Sequence, residues 1–199
     1  MIVIYDHLVA VLVGGVILLL LFNVQQRVNQ SSVERTMTYM AKSNMLALTS
    51  YLERDLMTAG FNTPPVESGI LAHDTTNGIT DTLAFWGVGA SGARTRIAYG
   101  ISFVDSAMIN DEVKPLYQLR RYERQGNTFV QVGGSGPNLT QFDIRLLTKG
   151  NLEADFFTAA RFKLRLAVAV FPNFESDAHL TGYRQLRWGV TLDPPGLQQ

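Results

Sequence analysis

Cysteine is absent from the 199 residues of this chain. Its absence excludes disulfide-bonded scaffolds, thiolate metal sites and cysteine nucleophiles. Net charge is also lacking, because 17 basic residues balance 17 acidic ones. No overall field therefore attracts the chain to nucleic acid or to anionic lipid. The length predicts one domain with a substantial core, together with an appendage.

Proline and glycine are missing from a long N-terminal stretch. No proline precedes Pro64, and no glycine lies between Gly15 and Gly60. Because these residues are the usual helix breakers, their absence permits one uninterrupted helix over residues 1–59, which Gly60 would end. Apolar residues then recur at steps of three and four, the period of a helix. This stripe consists of Met37, Met40, Ala41, Met45, Leu48, Leu52, Leu56 and Ala59.

Charged residues are almost missing from the first 22 positions, where only Asp6 and His7 interrupt an apolar run. A helix of that length spans about 33 Å, enough to cross a bilayer core of about 30 Å. We do not expect a cleavable secretory signal, because no basic residue precedes the run and no small-x-small pattern follows it. The run therefore needs either lipid or neighbouring chains to cover it.

Beyond the helix, the sequence changes to short alternating runs separated by turn residues. Residues 61–82 are rich in Pro, Gly, Asn and Thr and are predicted to form a connecting loop. Strands are predicted over residues 82–88, 95–104, 116–124, 127–132, 139–147, 160–171 and 183–192, with a hairpin at Gln125-Gly126. Such alternation predicts an antiparallel sheet covered on one face.

The apolar stripe of the helix is the natural cover for that sheet. We expect this helix-on-sheet packing to involve Met45, Leu48, Leu52 and Leu56. The predicted fold class is α+β, with a long protruding N-terminal helix whose C-terminal half packs on an antiparallel sheet. The chain is therefore predicted to have two parts: a helix over residues 1–60, apolar over residues 1–22, and a globular β-rich head domain over residues 61–199.

Chemical motifs are sparse. The three histidines are scattered and show no metal-ligand spacing. The Gly-rich runs 87–92 and 132–137 are predicted to be turns rather than phosphate cradles. Basic rows at residues 120–124 and 161–165 are predicted to form a solvated or intersubunit-paired sheet face, and the acids Asp105, Asp111 and Glu112 a solvated loop. We expect no enzyme activity, no metal, no cofactor and no nucleic-acid partner.

Two motifs resemble a known family. The segment "IVIYDHLVAVLV" places Asp6 four positions after Ile2 and just before an apolar run, as at a mature pilin start. The stretch "YLERDLMTAGF", residues 51–61, is similar to the helix ending of larger minor pilins and J-type pseudopilins. With the order of helix, loop and late strands, the chain resembles the type IV pilin and type II secretion pseudopilin superfamily, closest to its larger J/W-like minor pilins.

The resemblance implies a structural subunit of an extracellular pilus-like filament on the bacterial surface, held in the inner membrane before assembly. Its partners would be further copies of itself or other pilins. The resemblance to fimbrial subunits also implies a role in cell adhesion. The acidic Asp6 would pair with the α-amino group of a neighbour's Met1 and so set axial register, while Gly14 and Gly15 would give flexibility. The residues implied in the filament core are Leu8, Val11, Leu12, Val16, Leu19, Leu20 and Phe22.

Alternatives remain open on the residues alone. Asp6 and His7 also fit the headgroup boundary of a plain membrane anchor, and Gly14-Gly15 fits the ordinary tolerance of spanning helices for glycine. The chain would then be a single-pass anchored periplasmic or surface domain that binds a ligand. A pseudopilin of a secretion system is a further alternative.

Overall fold

In the part of the chain that the structure describes, the main elements are one long helix and one sheet. The computed structural model describes residues 2–64, 66–109, 112–170 and 184–198. Helix α1 runs without a break over Ile2–Met57, so the single long helix predicted from the sequence is confirmed. The chain divides into two compact units, residues 1–40 and 41–199. The division therefore lies within α1, because the last turns of α1 belong to the same unit as the sheet.

The end of α1 depends on a glycine. The last turn tightens, with the N–H of Ala59 donating to the carbonyl of Leu56 at 3.0 Å. Gly60 then takes a left-handed φ of 77° and donates its N–H to the carbonyl of Trp86 at 2.8 Å. A Cβ at position 60 would overlap the carbonyl oxygen of Gly196. Both the backbone angle and the close approach thus require glycine here.

Among the described residues, eight strands follow the helix, and all pairings between these strands are antiparallel. The sheet order is β1-β2-β3-β4-β6-β7-β8, and β5 also pairs with β4. The α+β class is thereby confirmed. The strands are β1 Ile70–Thr76, β2 Ile79–Val88, β3 Arg94–Ile109, β4 Glu112–Gln125, β5 Thr128–Gly134, β6 Leu139–Leu147, β7 Arg161–Val170 and β8 Arg184–Leu192. A short 3₁₀ helix follows at Pro195–Leu197.

The predicted loop over residues 61–82 is wrong in its second half. Strand β1 and the start of β2 occupy residues 70–82 and form a hairpin, in which Thr76 pairs with Ile79. Its turn is Asn77-Gly78, with φ angles of 52° and 76°. Positive φ at both central residues is the type I′ geometry that matches strand twist, and Asn-Gly is its preferred sequence. The turn residues that suggested a loop instead connect two strands.

The seven strands that the sequence predicts correspond to β2 through β8. The ends of two of them, Phe171 and Tyr183, lie outside the described residues. The hairpin predicted at Gln125-Gly126 is present between β4 and β5, where Gln125 pairs with Thr128. The acids Asp105 and Glu112 lie in strands β3 and β4 rather than in a loop.

The core lies between the last turns of α1 and one face of the sheet. Leu52 and Leu56 are fully buried, Met45 is nearly so, and Leu48 packs half-buried against the same cluster. Their partners on the sheet include Leu83, Phe85, Ile97, Leu119, Phe142, Ile144, Phe162 and Leu164.

The sequence predicts a sheet that is covered on one face only. In the structure, part of the other face is buried as well. In β7, Ala167 and Ala169 are buried as well as the residues that alternate with them. Ala169 joins Ile109 and Leu116 in a second, smaller buried cluster. The C-terminal end of β3 and the N-terminal end of β4 therefore help to cover β7 on the side of the sheet opposite the main core.

Candidate functional site: an exposed apolar helix segment and a buried ionic cluster

The first half of α1 carries the most unusual surface of the chain. By length and composition α1 contains a stretch able to cross a membrane, with a mean hydropathy of 2.5 and none of that window buried. Every residue from Leu8 to Phe22 is exposed. Large apolar side chains are normally buried, and a contiguous exposed set marks contact with lipid or protein. We call residues 8–22 the apolar segment.

The residues that the resemblance assigns to a filament core all lie on this segment. Their side chains are between 49% and 76% exposed in the single chain. They are Leu8, Val11, Leu12, Val16, Leu19, Leu20 and Phe22. A covering of lipid or of other chains would therefore remove apolar area at each of them.

The two glycines of the segment have open surroundings. A Cβ built at Gly14 or Gly15 would meet no atom within 4 Å. Close helix approach and ordinary tolerance of glycine thus both remain compatible with these positions. Met1 and the side chain of Asp6 lie outside the described residues, so the register pair stays a prediction.

A second feature, buried in the other unit, joins α1 to the sheet through charged groups. The carboxylate of Asp55 accepts hydrogen bonds from the Tyr99 hydroxyl at 2.7 Å and from Nε of Arg121 at 2.5 Å. Arg121 also donates from a terminal nitrogen to Oε1 of Glu123 at 2.5 Å. Less than a tenth of each of these side chains is exposed. We call these four residues the ionic cluster.

The surroundings of the cluster raise the pKa values of Arg121 and Tyr99. Burial by itself lowers the pKa of Arg121, but hydrogen bonds to Asp55 and Glu123 outweigh that effect and raise the pKa above its usual value. Burial and the neighbouring Asp55 carboxylate raise the pKa of Tyr99 well above its usual value. Arg121 therefore stays a cation and Tyr99 a neutral donor at neutral pH.

This cluster was not predicted from the sequence. The basic row predicts Arg121 on a solvated or intersubunit-paired face with Arg120 and Arg124, whereas Arg121 is 3% exposed and donates to Asp55 of α1. Strand alternation could have revealed it, because residues 119, 121 and 123 share the core face of β4. On the helix, Asp55 could have indicated the cluster. It lies beside Leu56 in the apolar stripe, and a carboxylate buried there requires a partner.

Beside the cluster lies a cleft of about 520 Å³. Its walls are five residues between Asn44 and Tyr51 of α1, residues 132–136 at the end of β5 and in its turn to β6, and residues of β3, β4 and β7. Tyr51 and Arg121 line it, with the Arg121 guanidinium 5.1 Å from the centre of the Tyr51 ring. The volume lies within the usual range of small-molecule sites, about 300–1,000 Å³.

The described residues contain no group of three His, Asp or Glu side chains able to hold a metal ion. Of the Gly-rich runs, residues 87–92 lie at the turn from β2 to β3, and residues 132–137 at the end of β5 and its turn to β6. No protein-family model matches the chain, and neither does any curated protein or solved structure.

Proposed function

We propose that this chain is the structural subunit of an extracellular type IV pilus-like filament, in which the apolar segments of neighbouring copies bundle as the core. Before assembly, the same segment holds the subunit in the inner membrane. Asp6 pairs with the α-amino group of a neighbour's Met1 and fixes the axial register. The sheet domains form the outer layer.

The observation that carries the proposal is that every residue of the apolar segment is exposed. Burying even about 500 Å² of apolar surface per neighbour contributes on the order of 12 kcal/mol before the cost of association. Several neighbours would multiply this gain, which is sufficient to stabilise a polymer outside lipid. The α+β architecture and the motifs at residues 2–13 and 51–61 support the pilin-like form of the proposal.

Sedimentation tests the proposal. Filaments would be sheared from cells, freed of membranes by flotation, and centrifuged without detergent. We expect the chain to sediment as lipid-free polymers, visible as fibres by electron microscopy. If the chain instead floats with membranes and becomes a monomer in detergent, the filament proposal fails.

The cleft favours a second candidate function. A cleft of about 520 Å³ lined by Tyr51, Arg121 and Ser135 suits a small ligand, which supports an anchored periplasmic or surface binding domain. In that case the apolar segment spans the membrane as a single helix. The same centrifugation distinguishes the two functions, since the anchored domain requires detergent or lipid and forms no fibres.

A further inference from the structure

The outer side of β2 to β5, opposite the core, carries a concentration of arginines. Its residues alternate with buried ones such as Ile97 and Leu119. We call this surface the arginine face. It consists of four arginines and three aromatic residues, namely Arg94, Arg96, Arg120, Arg124, Trp86, Tyr122 and Phe129. The chain as a whole is neutral, so this concentration of positive charge is local.

The strand register arranges the face in rows. Trp86 of β2 pairs with Arg96 of β3, and Arg124 of β4 pairs with Phe129 of β5. The pairing of β3 with β4 continues this row, so Arg96 and Arg124 lie on neighbouring strands of the same side. Like charges on neighbouring strands destabilise a sheet. The fold itself therefore gains nothing from bringing these two arginines together.

The charges of the arginine face are largely unpaired. Within the described residues, Glu67 is the only carboxylate paired with these arginines, 3.1 Å from a terminal nitrogen of Arg94. Arg124 donates to a neutral acceptor, the carbonyl of Gly126, at 2.9 Å. The Nε atoms of Arg94 and Arg96 are buried without a hydrogen-bond partner, which costs stability. An anionic ligand would neutralise the charge that the fold leaves uncompensated.

Aromatic rings lie among the arginines. The guanidinium carbons of Arg94 and Arg96 are 3.9 and 4.7 Å from the centre of the Trp86 ring, a cation–π arrangement. Tyr122 lies across a position that has no side chain, since a Cβ built at Gly100 would be 3.9 Å from Cε2 of its ring. The face therefore presents flat groups as well as positive charge.

Arginine and aromatic side chains alternate along β4. Arg120, Tyr122 and Arg124 share one side of the strand, at intervals of about 7 Å. On the next strand Phe129 is 50% exposed. A single-stranded nucleic acid also alternates charge with flat groups, because each nucleotide carries one phosphate and one base. Aromatic residues on an open sheet face bind such bases by stacking, while arginines bind the backbone.

We propose that the arginine face binds single-stranded nucleic acid. Arg96, Arg120 and Arg124 contact the phosphates, and bases stack on Tyr122 and Phe129. The neutral composition predicts no such partner, but composition reports an average over the chain and not the charge of one face. A duplex fits less well, because its bases stack on one another and do not reach the rings. The face lies within the sheet, so this inference does not rest on the filament proposal.

Salt-dependent binding tests the role of the arginines. The full chain in neutral detergent micelles would be titrated into a labelled oligothymidine of about 12 nucleotides, with fluorescence anisotropy as the readout. We expect Arg96→Gln with Arg120→Gln to weaken binding about tenfold at low salt. The slope of log affinity against log salt should fall by about 0.7 for each arginine. Arg165→Gln, an exposed change on β7 outside the face, is the matched control and should alter neither value.

A strand without bases tests the role of the rings. Phe129→Ala should weaken oligothymidine binding about tenfold and leave the salt slope unchanged. Phe129→Tyr keeps a ring and should bind normally. An abasic strand of the same length should bind more weakly, and Phe129→Ala should not weaken it further. Phe157→Ala removes another exposed phenylalanine and is the control, and circular dichroism would verify that each variant is folded.

The outcomes separate this inference from the filament proposal. If the unaltered chain does not bind oligothymidine at low salt, or binds the abasic strand as tightly, the inference is overturned. An anionic polysaccharide that binds as tightly as oligothymidine would also overturn it, because it would assign the face to polyanions without bases. Failure to form lipid-free polymers would contradict the filament proposal alone, since the binding test uses chains held in micelles.

Discussion

Arg120 and Arg121 are adjacent in the sequence but lie on opposite sides of β4. Arg121 is buried between two carboxylates, whereas Arg120 lies half-buried on the side of the sheet that faces away from α1. Arg121→Ala would leave Asp55 and Glu123 buried without their cation, and we expect it to lower the free energy of unfolding by about 3–5 kcal/mol. Urea denaturation in detergent, followed by tryptophan fluorescence, would measure the loss.

Arg120→Ala is the matched control for that change. It removes the same side chain from the partly exposed face, and we expect a change within about 0.5 kcal/mol. Equal losses for the two variants would show that the buried ion pairs do not stabilise the fold.

Tyr99 makes stability depend on alkaline pH. Its pKa in the folded chain is raised by burial and by Asp55, whereas in the unfolded chain it is about 10. Above that pH the unfolded state binds fewer protons than the folded state, so unfolding becomes more favourable as pH rises. The stability due to Tyr99 is therefore complete below pH about 10 and is lost as pH rises toward the folded pKa.

The check is a comparison with Tyr99→Phe, which lacks the titrating group. We expect the free energy of unfolding of the original chain to fall more steeply between pH 10 and 12 than that of the variant. The other tyrosines are common to both chains and cancel in the comparison. Parallel curves would contradict the assignment.

At the scale of elements, strands with regular alternation could be predicted well. Strand β6 has the predicted bounds, Leu139 and Leu147, because Phe142, Ile144 and Leu146 alternate with polar residues over most of its length. Strand β1 was missed because its "LAHDTT" run lacks an apolar face and borders Asn77-Gly78, which suggests a loop unless the turn type is considered. The sequence predicts β3 only to residue 104 and β4 only from residue 116, since the exposed residues beyond these points show no alternation that a core would impose.

Gly60 connects the end of α1 to the sheet and offers a prediction at this scale. Gly60 and Gly92 share a φ of 77°, but only Gly60 lies against other backbone, at Gly196. Gly60→Ala combines a left-handed backbone with a steric overlap, and we expect it to cost about 3 kcal/mol of unfolding free energy. Gly92→Ala meets no atom within 4 Å and should cost only about 1 kcal/mol.

Denaturation curves of the two variants would measure this difference of about 2 kcal/mol. A difference near zero would mean that the C-terminal segment moves away from position 60 without loss of stability. The comparison thus isolates the packing of Gly196 from the backbone conformation that both glycines share.

For the whole molecule, the two compact units differ in where their apolar residues lie. The unit over residues 41–199 buries its large side chains in a common core, and helical and strand periodicity indicated most of that core. The unit over residues 1–40 exposes the apolar segment. Composition alone could identify that segment, but a single chain cannot determine whether lipid or sister chains cover it, because both provide apolar surroundings.

A lysine placed in the apolar segment should therefore affect assembly and leave the fold intact. Leu19 and Leu46 are both exposed leucines of α1, at 67% and 48%, but only Leu19 lies in the apolar segment. Leu19→Lys would place a charge in every copy of an apolar bundle, at a cost of about 2.5–3.5 kcal/mol by analogy with a membrane helix centre. We expect the concentration needed for sedimentable polymer to rise more than tenfold. Leu46→Lys should assemble normally, and both variants should unfold at the original urea concentration. Normal polymer from the Leu19→Lys chain would contradict a filament core made of these segments.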